Sequence, residues 1–158
     1  MEKIAKFEKV SETQFLKDNG KGYENIALPK RATSGSAGYD FYSSTEIIIP
    51  ASSEILIPTG IRAKISDGWV LCIFPRSGLG FKYGISLKNT VGVIDSDYYM
   101  SQNQGHIMIK LRNPSMEDVV IPQGKAFAQG VFLPFGITED DDVITERDGG
   151  FGSTDKKN

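Results

Sequence analysis

The sequence predicts an all-β domain, a sandwich or barrel of short strands, and three observations support this. Short apolar runs recur at residues 47–49, 55–57, 60–65, 69–74, 85–87, 107–111, 119–121 and 127–132. Runs at roughly 8–12-residue intervals are the signature of a sandwich or barrel. Gly, Pro, Ser and Asn separate the runs, with 17 glycines and 7 prolines in 158 residues. Beyond residue 22 no long stretch carries the 3.6-residue apolar period of a helix.

The chain begins Met1-Glu2-Lys3-Ile4-Ala5-Lys6, without the apolar core of a signal peptide. Val10-Ser11-Glu12-Thr13-Gln14-Phe15 then reads as a helix start. Ser11 caps, Gln14 reaches back to it, and Val10 staples against Phe15. Gly20 and Gly22 stop this helix, so it is short and peripheral. In the run at 69–74, Cys72 is expected to be a buried, inert thiol. As the lone cysteine it excludes an internal disulfide, in keeping with a reducing compartment. His106-Ile107-Met108-Ile109-Lys110-Leu111-Arg112 alternates, with Ile107, Ile109 and Leu111 inward and His106 solvated.

Gly92-Val93-Ile94-Asp95-Ser96-Asp97-Tyr98 is the stretch that the other elements serve. Val93 and Ile94 favour a pleated, half-buried backbone, which would hold Asp95 at a strand end. Strand alternation sends Asp95 and Asp97 to one face and Ser96 and Tyr98 to the other. The competing reading is a turn, for which Asp-Ser-Asp is suitable chemistry. Residues 138–142 form an acidic, solvated linker. After it, Arg147-Asp148-Gly149-Gly150-Phe151-Gly152-Ser153-Thr154 places one Arg and one Phe among glycines that a merely frayed end would not need.

Composition narrows the function. The length suits one domain with a real core. A net charge of −2 gives no basic field for direct nucleic-acid binding or for an anionic membrane surface. No apolar run approaches spanning length. A soluble cytoplasmic protein is expected. Pro75-Arg76-Ser77-Gly78-Leu79-Gly80 follows an apolar strand and offers a guanidinium, a hydroxyl and open backbone N–H groups, the parts of an oxyanion cradle. It is not a Walker loop. Arg147 with Ser153 and Thr154 repeats the kit, and Phe151 adds a surface on which a base can stack. Two phosphate kits, a ring for a base and a ring beside a carboxylate suggest a nucleoside polyphosphate.

In these residues the chain resembles the homotrimeric deoxyuridine triphosphatases (dUTP nucleotidohydrolases). Five short motifs of that family stand in order: Ala37-Gly38-Tyr39-Asp40, Pro75-Arg76-Ser77-Gly78-Leu79, Asn89 through Tyr98, Gly124-Lys125-Ala126-Phe127-Ala128-Gln129, and Arg147 to Thr154. The resemblance implies a jelly-roll-like β barrel over residues 1–135, with a short N-terminal helix. An acidic linker and a glycine-rich lid over 136–158 complete the same domain, in a threefold trimer whose sites are shared between subunits. It implies hydrolysis of dUTP to dUMP and pyrophosphate, which keeps uracil out of DNA and supplies dUMP for thymidylate synthesis.

The same resemblance implies the roles. Asp95 orients the water that strikes the α-phosphorus, as an ionised Asp can at neutral pH. Mg2+ is held mainly by the triphosphate, with Asp40 in its water shell. Arg76, Ser77 and Gly78 hold phosphates with Gln129 nearby, and Tyr98 packs under the sugar where a 2′-hydroxyl would clash. Asn89 and the backbones of Val93, Ile94 and Met108 read the uracil edge. Phe151 and Gly152 close over the base, and Arg147, Ser153 and Thr154 grip the γ-phosphate.

Three features depart from the family's common pattern. Tyr99-Met100-Ser101-Gln102-Asn103-Gln104 lengthens the hairpin after Tyr98, a polar insertion expected to be neutral. Arg147 stands one residue closer to Gly-Gly-Phe, and Asp155 replaces a glycine. Two alternatives remain. One is a dCTP deaminase of the same fold, opposed by the lack of Asp or Glu between Tyr99 and Met108. The other is a regulatory protein that binds a phage or island repressor.

Overall fold

A computed structural model describes residues 2–145 and Arg147. Strand β1 (Ala5–Lys9) leads into helix α1 (Glu12–Lys17), and a 3-10 turn follows at Tyr23–Asn25. Strands β2 (Lys30–Arg31), β3 (Tyr39–Tyr42), β4 (Ile47–Ile49), β5 (Ser53–Pro58), β6 (Ile61–Ile65) and β7 (Trp69–Pro75) come next. A second helix, α2 (Ser77–Tyr83), precedes β8 (Ser86–Leu87) and β9 (Gly92–Ile94). A 3-10 helix at Ser96–Met100 then leads to β10 (Met108–Asn113), β11 (Val119–Ile121) and β12 (Ala126–Pro134).

Among the described residues the strands pair as β1-β6, β5-β10-β8, β11-β4 and β2-β3-β12-β7-β9. All of these pairings, among the described residues, are antiparallel. These sheets wrap one core in a jelly-roll-like arrangement, yet hydrogen bonds do not close them into a single barrel. Strands β4, β6, β10 and β11 alternate buried with less buried residues, so their apolar faces must be covered by a neighbouring sheet. The core is aliphatic and aromatic, with Phe15, Phe41, Phe127, Ile49, Leu71 and Ile107 fully enclosed. No described helix is long and apolar enough to cross a membrane.

Two expectations about the N-terminal helix are refined. Ser11 does cap it, accepting from Gln14 N at 3.2 Å. The return arm comes instead from Gln104, whose Oε1 accepts from Ser11 N at 2.8 Å, because Gln14 is turned to Asp18. Nor is the helix peripheral, since Phe15 is completely buried in the core.

The segment after β9 differs from the expected hairpin. Strand β9 pairs with β7, and β10 pairs with β5 and β8, so β9 and β10 are not hairpin partners. The strand ends at Ile94, and Asp95 begins a 3-10 helix, so two-residue alternation stops there. Turn chemistry at Asp-Ser-Asp overrides the pleat. His106 is not solvated: it is fully buried, with Nδ1 2.6 Å from Asp18 Oδ2 and Nε2 accepting from Gly60 N at 2.8 Å. Burial lowers its pKa below the ordinary value, against the pull of Asp18.

Candidate active site

The central five-stranded sheet brings three of the motifs to one end. Gln129 on β12 lies opposite Asp40 on β3 and Phe74 on β7. That register carries Arg76, just past β7, to the side of Asp40, and the two form an ion pair. Asp40 is buried while the Arg76 side chain is 39% exposed, so the acid is satisfied from within and the guanidinium still faces outward. Gln129 donates from Nε2 to Pro75 O at 3.2 Å. Its other end explains Gly38, where a Cβ would stand 2.6 Å from Gln129 Oε1. Without a side chain at 38, the amide fits between β3 and β7.

Arg76 is also the N-terminal cap of α2, in extended conformation. Its carbonyl accepts from Leu79 N and Gly80 N. The N–H groups of Ser77 and Gly78 therefore precede the helix's own bonding and are available to an anion. No atom lies within 4 Å of where a Gly78 Cβ would stand, so this end of the helix is open.

A second constellation forms around β9. Asn89, Val93, Ile94 and Met108 line one cleft of about 270 Å³ floored by Ile73 and Leu87. Met108 thus falls beside Asn89 despite the lengthened segment between Tyr98 and β10. Asp95 follows Ile94 at the cleft's edge, with its side chain 47% exposed. Arg147 Nη2 lies 2.5 Å from Asp95 Oδ2, and its Nε donates to Asp97 Oδ1 at 2.9 Å. The same guanidinium stands 5.8 Å from the centre of the Tyr98 ring.

Tyr98 is buried, which raises its pKa. Its hydroxyl donates to His106 O at 2.7 Å and accepts from Asn103 Nδ2 at 2.8 Å. Cys72, opposite Val93 on β7, is half-buried, and its thiol pKa is pushed up by burial and then by the Asp95 charge. The sequence predicts a buried thiol; this one is only half-buried, and its raised pKa disfavours the reactive thiolate. Phe151, Gly152, Ser153 and Thr154 lie outside the described residues.

One chain does not bring these two constellations together. Leu71 pairs with Ile94, so Asp95 continues from there toward the Trp69 end of β7, whereas Arg76 follows its far end. Six residues of extended backbone separate them, roughly 20 Å. Two residues escaped the sequence reading. Asp97 was visible only as half of a carboxylate pair, and its hold on Arg147 needed the fold. Asn103 sat in a polar insertion with no pattern to mark it. A larger groove of about 760 Å³, walled by Phe7, Tyr39, Trp69 and Phe132, contains none of the predicted site residues.

Comparison with known proteins gives one answer. A family model described as dUTPase matches residues 24–155. The deoxyuridine 5'-triphosphate nucleotidohydrolase of Lactococcus lactis is 44% identical over 137 residues, covering 84% of this chain and 91% of the relative. The crystal structure of dUTPase from Streptococcus mutans is similar with a TM-score of 0.69 at 39% identity, over 84% of this chain and 98% of that one. The fold is also shared with a dUTPase from phage phi11 of S. aureus, at TM-score 0.68 and 20% identity, over 90% and 98% of the two chains.

Proposed function

The chain belongs to the dUTPase family, and on that premise we propose that its two constellations are complementary halves of one active site, joined between subunits. The protein hydrolyses dUTP to dUMP and pyrophosphate. Deamination of dCTP is not favoured by the relatives.

In this reading Asp95 accepts a hydrogen bond from a water and orients it at the α-phosphorus. The water oxygen bonds to phosphorus as the bond to the α–β bridging oxygen breaks, and pyrophosphate departs. The water's proton passes toward the carboxylate, which acts as the general base. Little else is asked of a covalent group, since positioning and charge neutralisation dominate this chemistry. Arg76 and the N–H groups of Ser77 and Gly78 hold the phosphates, with Gln129 beside them. Asn89 with the backbones of Val93, Ile94 and Met108 reads uracil in the 270 Å³ cleft. Cytosine would leave those fixed donors and acceptors unpaired, a stronger bar than a missing methylene. Tyr98 forms the wall under the deoxyribose. The arm carrying Arg147, Phe151, Gly152, Ser153 and Thr154 closes the site as a lid.

The family uses Mg2+, a hard ion that prefers phosphate oxygens and water. No group of three or more metal-ligating side chains occurs among the described residues. Arg76 takes Oδ1 of Asp40, which leaves Oδ2 to accept hydrogen bonds from the ion's water shell. Bound there, Mg2+ supplies charge neutralisation for the departing pyrophosphate.

The observation that carries the shared site is the separation along β7. Phosphate-holding Arg76 and water-orienting Asp95 stand roughly 20 Å apart in one chain, too far to act on adjacent atoms of a nucleotide. A threefold trimer lets one copy's Arg76 end meet another's Asp95 end. The test mixes two inactive variants, Arg76→Ala and Asp95→Asn, by co-expression. Shared sites restore about a quarter of the parental activity, the share that draws both residues from copies unaltered there when subunits mix at random. Sites confined to one chain restore none.

A further inference from the structure

The family model begins at residue 24, so β1 and α1 lie outside it. The segment 99–106 is nevertheless fastened to both. Tyr99 donates its hydroxyl to Glu8 Oε2 at 2.5 Å, and the Arg62 guanidinium sits 4.2 Å from the Tyr99 ring. Gln104 bonds Ser11 twice, through the backbone N and through Oγ at 2.9 Å. His106 is held on both ring nitrogens, by Asp18 and by Gly60 N. Gly105 turns the chain at φ +69, where a Cβ would stand 2.7 Å from the Tyr99 backbone.

These ties converge on Tyr98. Its hydroxyl spends its proton on His106 O and receives one from Asn103 Nδ2. The orientation of the Asn103 amide is set from the other side, because its Oδ1 accepts from Gly105 N at 3.2 Å. The nitrogen must therefore be the end that meets the tyrosine. A ring that rejects a 2′-hydroxyl by collision works only if it cannot retreat. Rotation about its two side-chain torsions is prevented by fixing its far end. Asn103 lies in the segment that lengthens this chain after Tyr98 and His106 just beyond it, and both are tied back to the two ends of α1 through Gln104–Ser11 and His106–Asp18.

We infer that Asn103 is a positioning residue for sugar specificity: through the Tyr98 hydroxyl it holds the ring against which deoxyribose is distinguished from ribose. The insertion is then a brace, not a neutral loop. This inference rests on the reading of Tyr98 as the wall beneath the sugar.

The test measures kcat and KM for dUTP and for UTP in the full chain and in Asn103→Ala, Tyr98→Phe, the double variant and Tyr98→Leu. Asn103→Ala is expected to lower the preference for dUTP over UTP about tenfold, the equivalent of about 1.4 kcal/mol or one hydrogen bond. The change should come mainly as a gain in kcat/KM for UTP. Tyr98→Phe should reproduce it, and the double variant should add nothing further. An equal loss for both nucleotides in Asn103→Ala, or additive effects in the double variant, overturns the inference. Should Tyr98→Leu abolish the preference while Asn103→Ala keeps it, the brace is wrong and the Tyr98 reading stands. Should Tyr98→Leu keep the preference, the reading of Tyr98 itself falls.

Discussion

The two ends of β7 are built in opposite ways. At one end Asp40, Arg76 and Gln129 are held by cross-strand register in the middle of a five-stranded sheet, and the acid is buried and paired. At the other end Asp95 stands one residue past the last residue of β9, half-exposed, on a single 3-10 turn, with an arm residue laid across it. A group that holds phosphates gains from rigidity, because its geometry is the same before and after the bond breaks. The group that orients water has to be reached by substrate and solvent, and then covered. On the proposed reading, the catalytic end would draw its precision from assembly and closure, and the binding end from the sheet.

The sharpest way to break that comparison is Asp95→Asn. Loss of the carboxylate should cut turnover on the order of a thousandfold, within the usual range for a general base. Affinity for a non-hydrolysable dUTP analogue should stay within a few-fold, since the binding end is untouched. Pyrophosphate release and calorimetric titration separate the two quantities. A variant that keeps turnover within a few-fold of the parent removes Asp95 from the water-activating role.

Ending the chain at residue 146 asks whether the exposed end depends on its arm. We expect kcat/KM to fall by about a hundredfold, as befits loss of site closure. The melting temperature should move by only about 2 °C. Arg147 meets two roughly half-exposed carboxylates, and ion pairs of that kind contribute little to stability. A collapse of the thermal transition would instead make the arm part of the fold.

The same contrast decides what the sequence made legible. Runs bounded by Gly and Pro became β4, β7, β10, β11 and β12, and the alternation at 107–111 holds, with Ile107, Ile109 and Leu111 buried. The polar Ala-Lys-Phe-Glu-Lys of β1 carries almost no apolar signal, and its strand state comes from pairing with β6. Helix α2 contains two glycines within seven residues and would not form on propensity alone; Gly84 in left-handed conformation closes it. At the binding end Asp40 and Gln129 sit on β3 and β12 and Arg76 directly follows β7, so the motifs lie close to the geometry they form. At the catalytic end, Asp97 and Asn103 act through partners 50 and 5 residues away. Spacing in the chain does not encode such contacts.

A single methyl group tests the rigid end. In Gly38→Ala the new Cβ would stand 2.6 Å from Gln129 Oε1, the far end of a flexible side chain, so the amide rotates and the sheet survives. Gln129 then leaves Pro75 O and whatever it holds of the phosphates. KM for dUTP should rise by about three- to tenfold with kcat nearly unchanged, the pattern of lost uniform binding. A fall in kcat alone would place Gln129 with the catalytic end.

The smallest effect is expected beneath the exposed end, at His106. Its Nε2 accepts from Gly60 N, so the neutral ring is the form that fits, and burial lowers its pKa in the folded chain. The unfolded chain then binds a proton first as pH falls below about 6.5. Stability from this residue is fully present above that value and is lost as pH drops toward the lowered folded pKa, at no more than about 1.4 kcal/mol per pH unit. Glu8 and Glu54, both held at about 2 by hydrogen bonds and neighbouring cations, lose their stabilisation as the unfolded glutamates protonate near 4.5, and they do so equally in parent and variant. His106→Gln keeps an acceptor near Gly60 but cannot be protonated. Urea titrations between pH 7 and 5 should therefore show the parent losing stability with a steeper slope than the variant. Parallel slopes would mean that His106 takes up its proton without disturbing Gly60, and that the brace under Tyr98 is indifferent to pH.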